Sequence, residues 1–495
     1  MTLWQALASH AVSRPGKVAL AAPDATLTYG GLANASQAAA RCLRDRHGLR
    51  RQDRIAYLGY NSAAQIVLTF AAACGGHVVS PLNWRLSEGE LAWIVANADP
   101  SLIVADPVHM DIARRVAPGR ALSPASELIS DTVSEDWRPD VIELGGSADP
   151  LLLVYTSGAT GRPKGAVLSQ SAVRANAELS WDMHDMTAAD RILTALPMFH
   201  VGGLNIQTMP ALLIGATVDL MDRFDPDTCL GLIADRRPTL TVQVPATLQA
   251  LMAADGWDRA DLSSLRAITT GSTDVPVPLI SSVHRRGVPV IQIYGATETG
   301  PVVVYQKAEH AKTHIGSIGK PGPGVDVSLR TGDGAEAANG APGEVWLRSP
   351  TLASGYWRDD GHAAFAGGWF RTGDVARLDD EGFLWFTDRV KNVIISGGEN
   401  IYPAELERVL RKVPGVTEAA VVGIADEKWG SVPVAAVVSN GPVTSADVRA
   451  VFDRDLARFK HPKAVHFVDA LPRNAMGKVV PAEVKTMIEA ASQAG

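Results

Sequence analysis

The alternation of helical stretches with short aliphatic runs is the feature that most limits how this chain can fold. Over the first four fifths of the sequence, runs such as RIAYLGY, SLIVAD, LLLVYT, LTVQVP and PVIQIY recur and are usually followed by Gly, Asn, Pro or Ser. Short apolar strands that alternate with helices form parallel sheets whose faces the helices cover. We therefore expect an α/β fold with a large N-terminal region of β-sheets flanked by helices.

The pattern changes twice toward the C-terminus. From about residue 325 to 387, short strands are joined by the turn signals TGDG, NGAPG and DDEG, which predicts a β-rich module. A helix over 403–413, the strands AAVVGI and VPVAAVV, and a second helix that continues to Phe459 then predict a small α+β domain. The predicted domains are residues 1–390, which include the β-rich module, and 391–495.

Composition and charge exclude several classes of protein. The 495 residues are 46% hydrophobic and 20% charged, within the range of ordinary globular chains. A net charge of −7 provides no overall basic field for nucleic acid or an anionic bilayer. Three scattered cysteines suit a reducing compartment. Gly, Pro, His and Asn interrupt the uncharged stretches 66–84 and 192–218, so we expect buried helix–turn–strand units there rather than membrane spans. We expect a cytoplasmic protein without a membrane span and without a nucleic-acid partner.

The strongest local signal is LLLVYTSGATGRPKGAVLS, in which an apolar strand leads into a polar, glycine-rich loop. Glycines let consecutive backbone N–H groups converge on an anion, hydroxyls add donors, and a lysine supplies charge. The loop is not a Walker A motif, because Pro163 stands where that motif requires Gly. These residue types predict a phosphate-binding loop, and the alternative is a solvated turn between two strands.

The segment YTSGATGRPKG resembles the signature of the AMP-forming adenylating enzymes, which include acyl-CoA synthetases, firefly luciferase and nonribosomal peptide synthetase adenylation domains. Five further blocks follow in that family's order: LPMFHVGG, IYGATETGP, WFRTGD, DRVKNVIISGGENIYPAE and PRNAMGK. The likeness is greatest to bacterial 4-chlorobenzoate-CoA and fatty-acyl-CoA ligases. One departure is Ala159, where the family usually has Ser or Thr.

The resemblance implies ATP and CoA as co-substrates, Mg²⁺ as cofactor, and a set of residues for each. The implied catalytic residues, of which Glu298 also faces the metal, are Lys478, Glu298, Thr160, Lys164 and His200. The implied ATP and AMP contacts are Thr156, Ser157, Gly158, Gly161, Gly271, Tyr294, Gly295, Ala296, Thr297, Asp374 and Arg389. Ser272 and Thr273 depart from the family's adenine loop.

The resemblance also implies an acyl pocket, a CoA site and a hinge. The implied acyl pocket is formed by His200, Val201, Gly202, Gly203, Val244 and Gly295. The implied CoA contacts are Gly397, Gly398, Glu399, Trp429 and Lys460. Lys391 matches the hinge, about which a mobile C-terminal domain would exchange Lys478 for the CoA loop.

Purely structural interpretations of these residues also stay open. Lys478 could be an ordinary surface lysine, His200 a satisfied buried histidine, and the SGGEN segment a plain flexible loop. His310 and His314 have the i,i+4 spacing of a helical metal pair, but no HExxH motif accompanies them.

The function implied by the resemblance is an ATP-dependent carboxylate–CoA ligase. The carboxylate attacks the α-phosphate, pyrophosphate leaves, and the acyl-AMP then loses AMP to the thiol of CoA. Because LPMFHVGGLNIQTMPALL contains no arginine, we expect an apolar monocarboxylate, either a medium or long fatty acid or an aryl acid. The alternatives are an enzyme that loads a carrier protein, and a catalytically inactive nucleotide-binding relative. A homodimer is expected at family level only.

Overall fold

A computed structural model describes residues 1–129, 144–156, 163–271, 275–359, 364–396, 399–426, 429–474 and 477–493. The chain divides into two compact units. The first consists of Met1–Val327 and Leu347–Phe370, and the second of Ser328–Trp346 and Arg371–Gly495. The domain boundary at residue 391 and the hinge at Lys391 stay predictions.

The helices and strands are numbered in chain order. The α-helices of the described residues are α1 Leu3–Ser13, α2 Tyr29–Arg41, α3 Ala63–Gly75, α4 Glu88–Ala98, α5 Met110–Val116, α6 Gln170–His184, α7 Val201–Gly203, α8 Met209–Ile214, α9 Pro226–Arg236, α10 Pro245–Ala253, α11 Val277–His284, α12 Pro403–Leu410, α13 Ser445–Asp455 and α14 Pro481–Gln493. The strands up to the end of the large sheets are β1 Val18–Ala21, β2 Thr26–Thr28, β3 Arg54–Leu58, β4 Val78–Leu82, β5 Leu102–Ala105, β6 Ala121–Pro124, β7 Pro150–Thr156, β8 Lys164–Ser169, β9 Arg191–Thr194, β10 Thr217–Leu220, β11 Leu240–Val242, β12 Ala267–Gly271, β13 Val290–Tyr294, β14 Val304–Tyr305 and β15 Lys320–Pro321. The later strands are β16 Asp326–Arg330, β17 Gly343–Arg348, β18 Phe365–Ala366, β19 Trp369–Leu378, β20 Leu384–Arg389, β21 Ile394–Ser396, β22 Glu399–Ile401, β23 Val416–Asp426, β24 Gly430–Ser439 and β25 Ala464–Phe467.

Two large sheets dominate the first unit. One has the order β15-β14-β13-β12-β11-β9-β10-β1-β2, and the other has the order β6-β5-β3-β4-β7-β8. The central strands of both are parallel. Antiparallel strands lie at both edges of the first sheet and at the β8 edge of the second, whose other edge strand, β6, is parallel to β5. This confirms the predicted α/β fold, since each aliphatic run quoted above forms a mostly buried strand of one of these sheets.

The uncharged stretch 66–84 is a buried helix, turn and strand, as expected. The stretch 192–218 begins instead in the strand β9, and the expected order is found only at its end, in α8, Gly215 and the start of β10. α3 begins at the N-cap Ser62, whose side chain accepts from the Gln65 N–H, and it ends at Gly76 in the left-handed region (φ +72°). β4 follows directly and is buried along its whole length. Among the described residues, no helix is both long and apolar enough to cross a membrane.

The predicted β-rich module and α+β domain are both observed, with corrections to two helix ends. The module forms a five-stranded sheet in the order β16-β17-β19-β18, with β20 beside β19. In the α+β domain, α12 ends at Leu410 rather than at Val413, although Val413 still joins the hydrophobic core. α13 ends at Asp455 because Leu456 adopts extended backbone angles (φ −138°, ψ 152°), and Phe459 lies in a separate 3₁₀ turn.

Candidate active site

The strand hairpin β7–β8 presents the ends of the predicted phosphate loop. Thr156 and Lys164 are directly opposite in the antiparallel register, and the Thr156 hydroxyl donates to the Lys164 carbonyl at 3.3 Å. Ser157, Gly158, Thr160 and Gly161 lie outside the described residues. The hairpin therefore fixes the two ends of the loop next to each other.

Lys164 belongs to a chain of polar contacts that reaches Glu298. Its ammonium lies 2.7 Å from the Asp359 carboxylate and 5.0 Å from the centre of the Tyr356 ring. The Tyr356 hydroxyl donates to Glu298 Oε1 at 2.6 Å. Burial and the nearby Glu298 carboxylate raise the pKa of the Tyr356 hydroxyl, so it remains a donor. Because the Lys164–Asp359 pair is partly exposed, it is weak, and an arriving anion can displace Asp359.

The turn after β13 places Glu298 in this chain. Thr297–Thr299 form one 3₁₀ turn, and the Ala296 N–H donates to the Thr299 hydroxyl at 2.8 Å. A Cβ at Gly295 would lie 1.8 Å from the Pro301 carbonyl oxygen, so only glycine fits there. Glu298 is buried, whereas Tyr294 and Thr297 are partly exposed.

Replacing Tyr356 by Phe should destabilise the protein and weaken catalysis together. A buried carboxylate that loses a donor costs about 1–3 kcal/mol in the free energy of unfolding. Tyr305→Phe is the matched control, because its hydroxyl donates to the Asp182 carboxylate at the same 2.6 Å distance. Denaturant unfolding should show a smaller loss in Tyr305→Phe, because Asp182 is 35% exposed and keeps its contact with Lys307 at 3.0 Å. Only Tyr356→Phe should lower kcat/KM. Equal activity in the two variants would contradict a role for the Tyr356–Glu298 contact.

The predicted acyl-pocket residues surround the start of α7. His200 is partly exposed, caps α7 through its carbonyl, and packs its ring edge-on against Phe199 at 4.5 Å between centroids. A Cβ at Gly203 would lie 2.3 Å from the Pro197 carbonyl oxygen, whereas a Cβ at Gly202 would meet nothing within 4 Å. Gly203 is thus required by packing, and Gly202 borders open space.

Two further predicted residues lie at strand ends of the same sheet. Gly271 is the last residue of β12, and a Cβ there would lie 2.5 Å from the Ile293 carbonyl oxygen. Val244, which follows β11, is the N-cap of α10 and is partly exposed. The carboxyl ends of parallel strands are where open α/β sheets bind ligands.

In the second unit, Asp374 and Arg389 form an ion pair. They are directly opposite on β19 and β20, and Arg389 Nε lies 3.1 Å from Asp374 Oδ1. The Asp374 side chain is 13% exposed, and the Arg389 side chain is 52% exposed. The arginine can therefore reach a ligand without leaving the strand that positions it.

Lys391 and Lys478 lie close enough to Asp374 and Arg389 for the charges of that pair to shift their pKa values. Burial and then the Arg389 guanidinium lower the pKa of both lysines, while Asp374 opposes the shift. Lys478 is held in a tight loop, since its N–H donates to Asn474 Oδ1 at 3.0 Å and its carbonyl accepts from the Asn474 N–H. Three cations around one carboxylate leave an excess of positive charge, which favours a polyanionic ligand.

The residues predicted to bind CoA are only partly described. Gly397 and Gly398 lie outside the described residues, and Glu399 is exposed on β22. Trp429 is also exposed, and its backbone N–H donates to Asp426 Oδ1 at 2.9 Å. Lys460 contacts both carboxylate oxygens of Glu405, at 2.8 and 2.9 Å.

Sequence reasoning missed Tyr356, Asp359 and Asp388. Tyr356 stands in an SGYWRDD stretch that reads as a turn, and its contact with Glu298 joins residues 58 positions apart. Asp388 is 2% exposed and accepts from the N–H groups of Arg389 and Ala404, both at 2.7 Å. Its position just before Arg389 was the only available signal. Within the described ranges, no group of three or more His, Cys, Asp and Glu residues is arranged to hold a metal ion.

Two family models match most of the chain. A sequence model of the AMP-binding enzyme family matches residues 7–357, and a model of the AMP-binding enzyme C-terminal domain matches residues 405–478. The chain is 44% identical over 504 residues to an indoleacetate–CoA ligase of Aromatoleum aromaticum, with 99% of this chain and 98% of that protein covered. It is 39% identical to a feruloyl-CoA synthase of an Amycolatopsis species, with 97% and 96% covered.

A solved structure shows the same fold. The o-succinylbenzoate CoA synthetase of Bacillus subtilis, in complex with its acyl-adenylate intermediate, superposes with a TM-score of 0.88 at 32% identity, and 98% of each chain is covered. The chain belongs to the AMP-binding enzyme family. Within it, the chain is an ATP-dependent, AMP-forming acid–thiol ligase.

Proposed function

We propose that this enzyme joins an apolar monocarboxylate to CoA through an acyl-AMP, and that it prefers aryl acids to aliphatic ones. The observation that carries the proposal is the cluster of Arg389, Lys391 and Lys478 around Asp374, whose excess positive charge suits a nucleotide phosphate chain. The indoleacetate–CoA ligase and the feruloyl-CoA synthase to which the chain is similar are both named for aryl monocarboxylates.

The residues have distinct roles in adenylation. Attack of the carboxylate on the α-phosphate brings two anionic oxygen groups together, so the reaction needs positive charge more than a covalent nucleophile. We assign that charge to Lys478, and to Lys164 at the end of the phosphate loop. Asp374 accepts from the ribose hydroxyls, and Arg389 contacts the ribose or the phosphate.

Mg²⁺ fits the site as an ion that arrives with ATP. Mg²⁺ in nucleotide sites keeps several waters and takes only one or two protein carboxylates besides the phosphates. Glu298, buried and oriented by the Tyr356 hydroxyl, supplies one such carboxylate. The ion would neutralise phosphate charge.

For the second half-reaction we propose the predicted CoA residues and a rotation about Lys391. Lys460 would leave Glu405 to meet a CoA phosphate, an exchange of one anionic partner for another. We place the enzyme in the cytoplasm, where CoA and ATP are available, and a homodimer stays a family-level expectation.

A panel of acids tests the substrate class. Purified enzyme with ATP, Mg²⁺ and CoA is given acetate, octanoate, palmitate, benzoate, coumarate, indole-3-acetate and malonate, and CoA consumption and pyrophosphate release are both measured. Aryl acids should be consumed fastest, and acetate and malonate slowest. Pyrophosphate release without CoA consumption would support loading of a carrier protein instead, and the absence of both would indicate an inactive relative.

Enlarging Gly202 should change which acids are accepted without harming the fold. Because a Cβ there meets nothing within 4 Å, Gly202→Leu can be accommodated, and its side chain fills space next to His200. We expect kcat/KM for the bulkiest accepted acid to fall about 10- to 100-fold, as a 1–3 kcal/mol steric loss predicts. Benzoate should be affected less.

Gly231→Leu is the matched control for that experiment. Gly231 also has open space around its Cβ position, but it lies in α9, away from the predicted pocket. Both variants should unfold at unchanged or higher denaturant concentration, since leucine favours helix over glycine. If Gly202→Leu leaves the ranking of acids unchanged, Gly202 does not line the acyl pocket.

A further inference from the structure

A buried polar network lies beside the predicted acyl pocket, and the adenylation chemistry does not use it. It consists of His184, Thr269 and Gln207, which are 3%, 0% and 1% exposed. His184 ends α6, and Thr269 lies in β12. Gln207 belongs to a π-helical turn, Leu204–Thr208, that follows α7. Wide turns of this kind inside helices occur frequently at functional sites.

The network fixes the protonation and tautomer of His184. Burial lowers the pKa of His184 to about 4, so the ring is neutral at working pH. Its Nδ1 lies 2.7 Å from the Ser180 carbonyl oxygen, which can only accept a hydrogen bond. The proton is therefore on Nδ1, and Nε2 is an acceptor.

This tautomer in turn fixes the orientation of the Gln207 amide. His184 Nε2 accepts from the Thr269 hydroxyl, whose oxygen lies 2.8 Å away, and one end of the Gln207 amide lies 3.1 Å from both Nε2 and Thr269 Oγ1. That end must be the NH₂ group, because an oxygen there would face a ring nitrogen that has no proton and a hydroxyl oxygen whose proton is already donated. The amide oxygen Oε1 consequently faces away from His184, and it has no hydrogen-bond partner among the described residues.

Gln207 also lines a cavity next to the residues predicted to hold the acyl group. The cavity is about 10 Å³ and is bordered by Gly202, Gly203, Leu193, Val242 and the threonines 194 and 208. The Thr208 hydroxyl donates to the Gly203 carbonyl at 2.6 Å and lies 2.6 Å from the Thr194 hydroxyl, so these two threonines have partners. A cavity of this volume admits about one water or one polar end group.

We propose that Gln207 is a specificity residue whose amide oxygen accepts a hydrogen bond from an N–H or O–H at the far end of the acyl group. This inference rests on the proposed ligase function and deepens it. An unpaired buried oxygen gains a partner when the substrate carries a donor and gains none when it does not. The enzyme therefore selects aryl acids with a ring N–H or O–H over acids of the same shape without one.

Paired acids test this directly. One pair is indole-3-acetate and benzofuran-3-acetate, in which a ring oxygen replaces the indole N–H. The other pair is 4-hydroxycinnamate and cinnamate, which lacks the hydroxyl group. For the better accepted pair, the wild-type ratio of kcat/KM should favour the donor-bearing acid at least about tenfold. In Gln207→Met the ratio should fall to about twofold or less, mainly through loss with the donor-bearing acid.

Gln243→Met is the control for loss of packing and of buried amide contacts. Gln243 is 0% exposed and also has an Oε1 without a partner among the described residues, but it does not border the cavity. The Gln243→Met variant should keep the wild-type ratio of kcat/KM for the paired acids. Gln207→Glu, which keeps an acceptor, should retain more of the preference than Gln207→Met if the Met variant folds poorly.

The outcomes separate this inference from the proposed function. Turnover of both members of a pair at equal kcat/KM, a ratio unchanged in Gln207→Met, or turnover of aliphatic acids only would each overturn the role of Gln207 and leave the ligase function intact. Failure to release pyrophosphate with any acid would overturn the ligase function itself.

Discussion

Lys478→Ala should abolish formation of the acyl-AMP and leave thioester formation from presynthesised acyl-AMP almost intact. Lys478 is close to Asp374 and Arg389, and its charge is expected to act where the carboxylate meets the α-phosphate. Removing one preorganised charge or donor of this kind costs about 100- to 1,000-fold in rate. The first half-reaction is measured by pyrophosphate release, and the second by release of AMP from synthetic acyl-AMP and CoA.

Lys485→Ala is the matched control for this prediction. Lys485 is another lysine near the C-terminus, half-exposed on α14, with a loose ion pair to Glu489 at 3.9 Å. Both half-reactions should keep their wild-type rates in that variant. If Lys478→Ala slows both half-reactions equally, the lysine supports the fold or the binding of both substrates, and its assignment to adenylation is wrong.

Asp374→Ala should raise the KM for ATP about 100-fold, with a smaller effect on the KM for the acid. A carboxylate that accepts from two ribose hydroxyls makes charge-assisted hydrogen bonds, each worth about 1.5–3 kcal/mol. Loss of the carboxylate also frees Arg389 and Lys478 from their counter-charge, which by itself favours the phosphate chain. The net increase in KM therefore reports the ribose contact.

The nucleotide 2′,3′-dideoxy-ATP distinguishes the ribose contact from a structural effect. Wild-type enzyme should discriminate strongly against it, and Asp374→Ala should not discriminate. Glu344→Ala removes a comparable ion pair of the same unit, since Glu344 lies 3.2 Å from Arg371 and is 15% exposed. That control should keep the wild-type preference. Discrimination that persists in Asp374→Ala would show that another group contacts the hydroxyls.

The fold could be predicted from local sequence because its determinants are local. The aliphatic runs have strand length and lie between helical patterns, so the α/β class followed from periodicity. The helix–turn–strand at 66–84 followed from the Gly, Pro, His and Asn residues that interrupt its apolar sequence. The ends of α12 and α13 could not be predicted in the same way. Leu456 continues the apolar spacing of α13, but its backbone is extended, and spacing alone does not report backbone angles.

In the candidate site, too, local features could be predicted from the sequence, whereas contacts between distant segments could not. Thr156 and Lys164 were predictable because they flank one loop, and the hairpin register then places them opposite each other. The Tyr356–Glu298 hydrogen bond and the His184–Gln207 network join distant segments, and their partners are ordinary residues for a turn or a buried helix. Such contacts depend on tertiary packing, which no local pattern encodes.

Exchange of labelled pyrophosphate into ATP tests the central claim most directly. Reversible formation of acyl-AMP requires that enzyme, Mg²⁺ and a suitable acid incorporate the label into ATP in the absence of CoA. We predict acid-dependent exchange that disappears in Lys478→Ala and persists in Lys485→Ala. Exchange that never rises above the acid-free background, for any organic acid offered, would contradict the account.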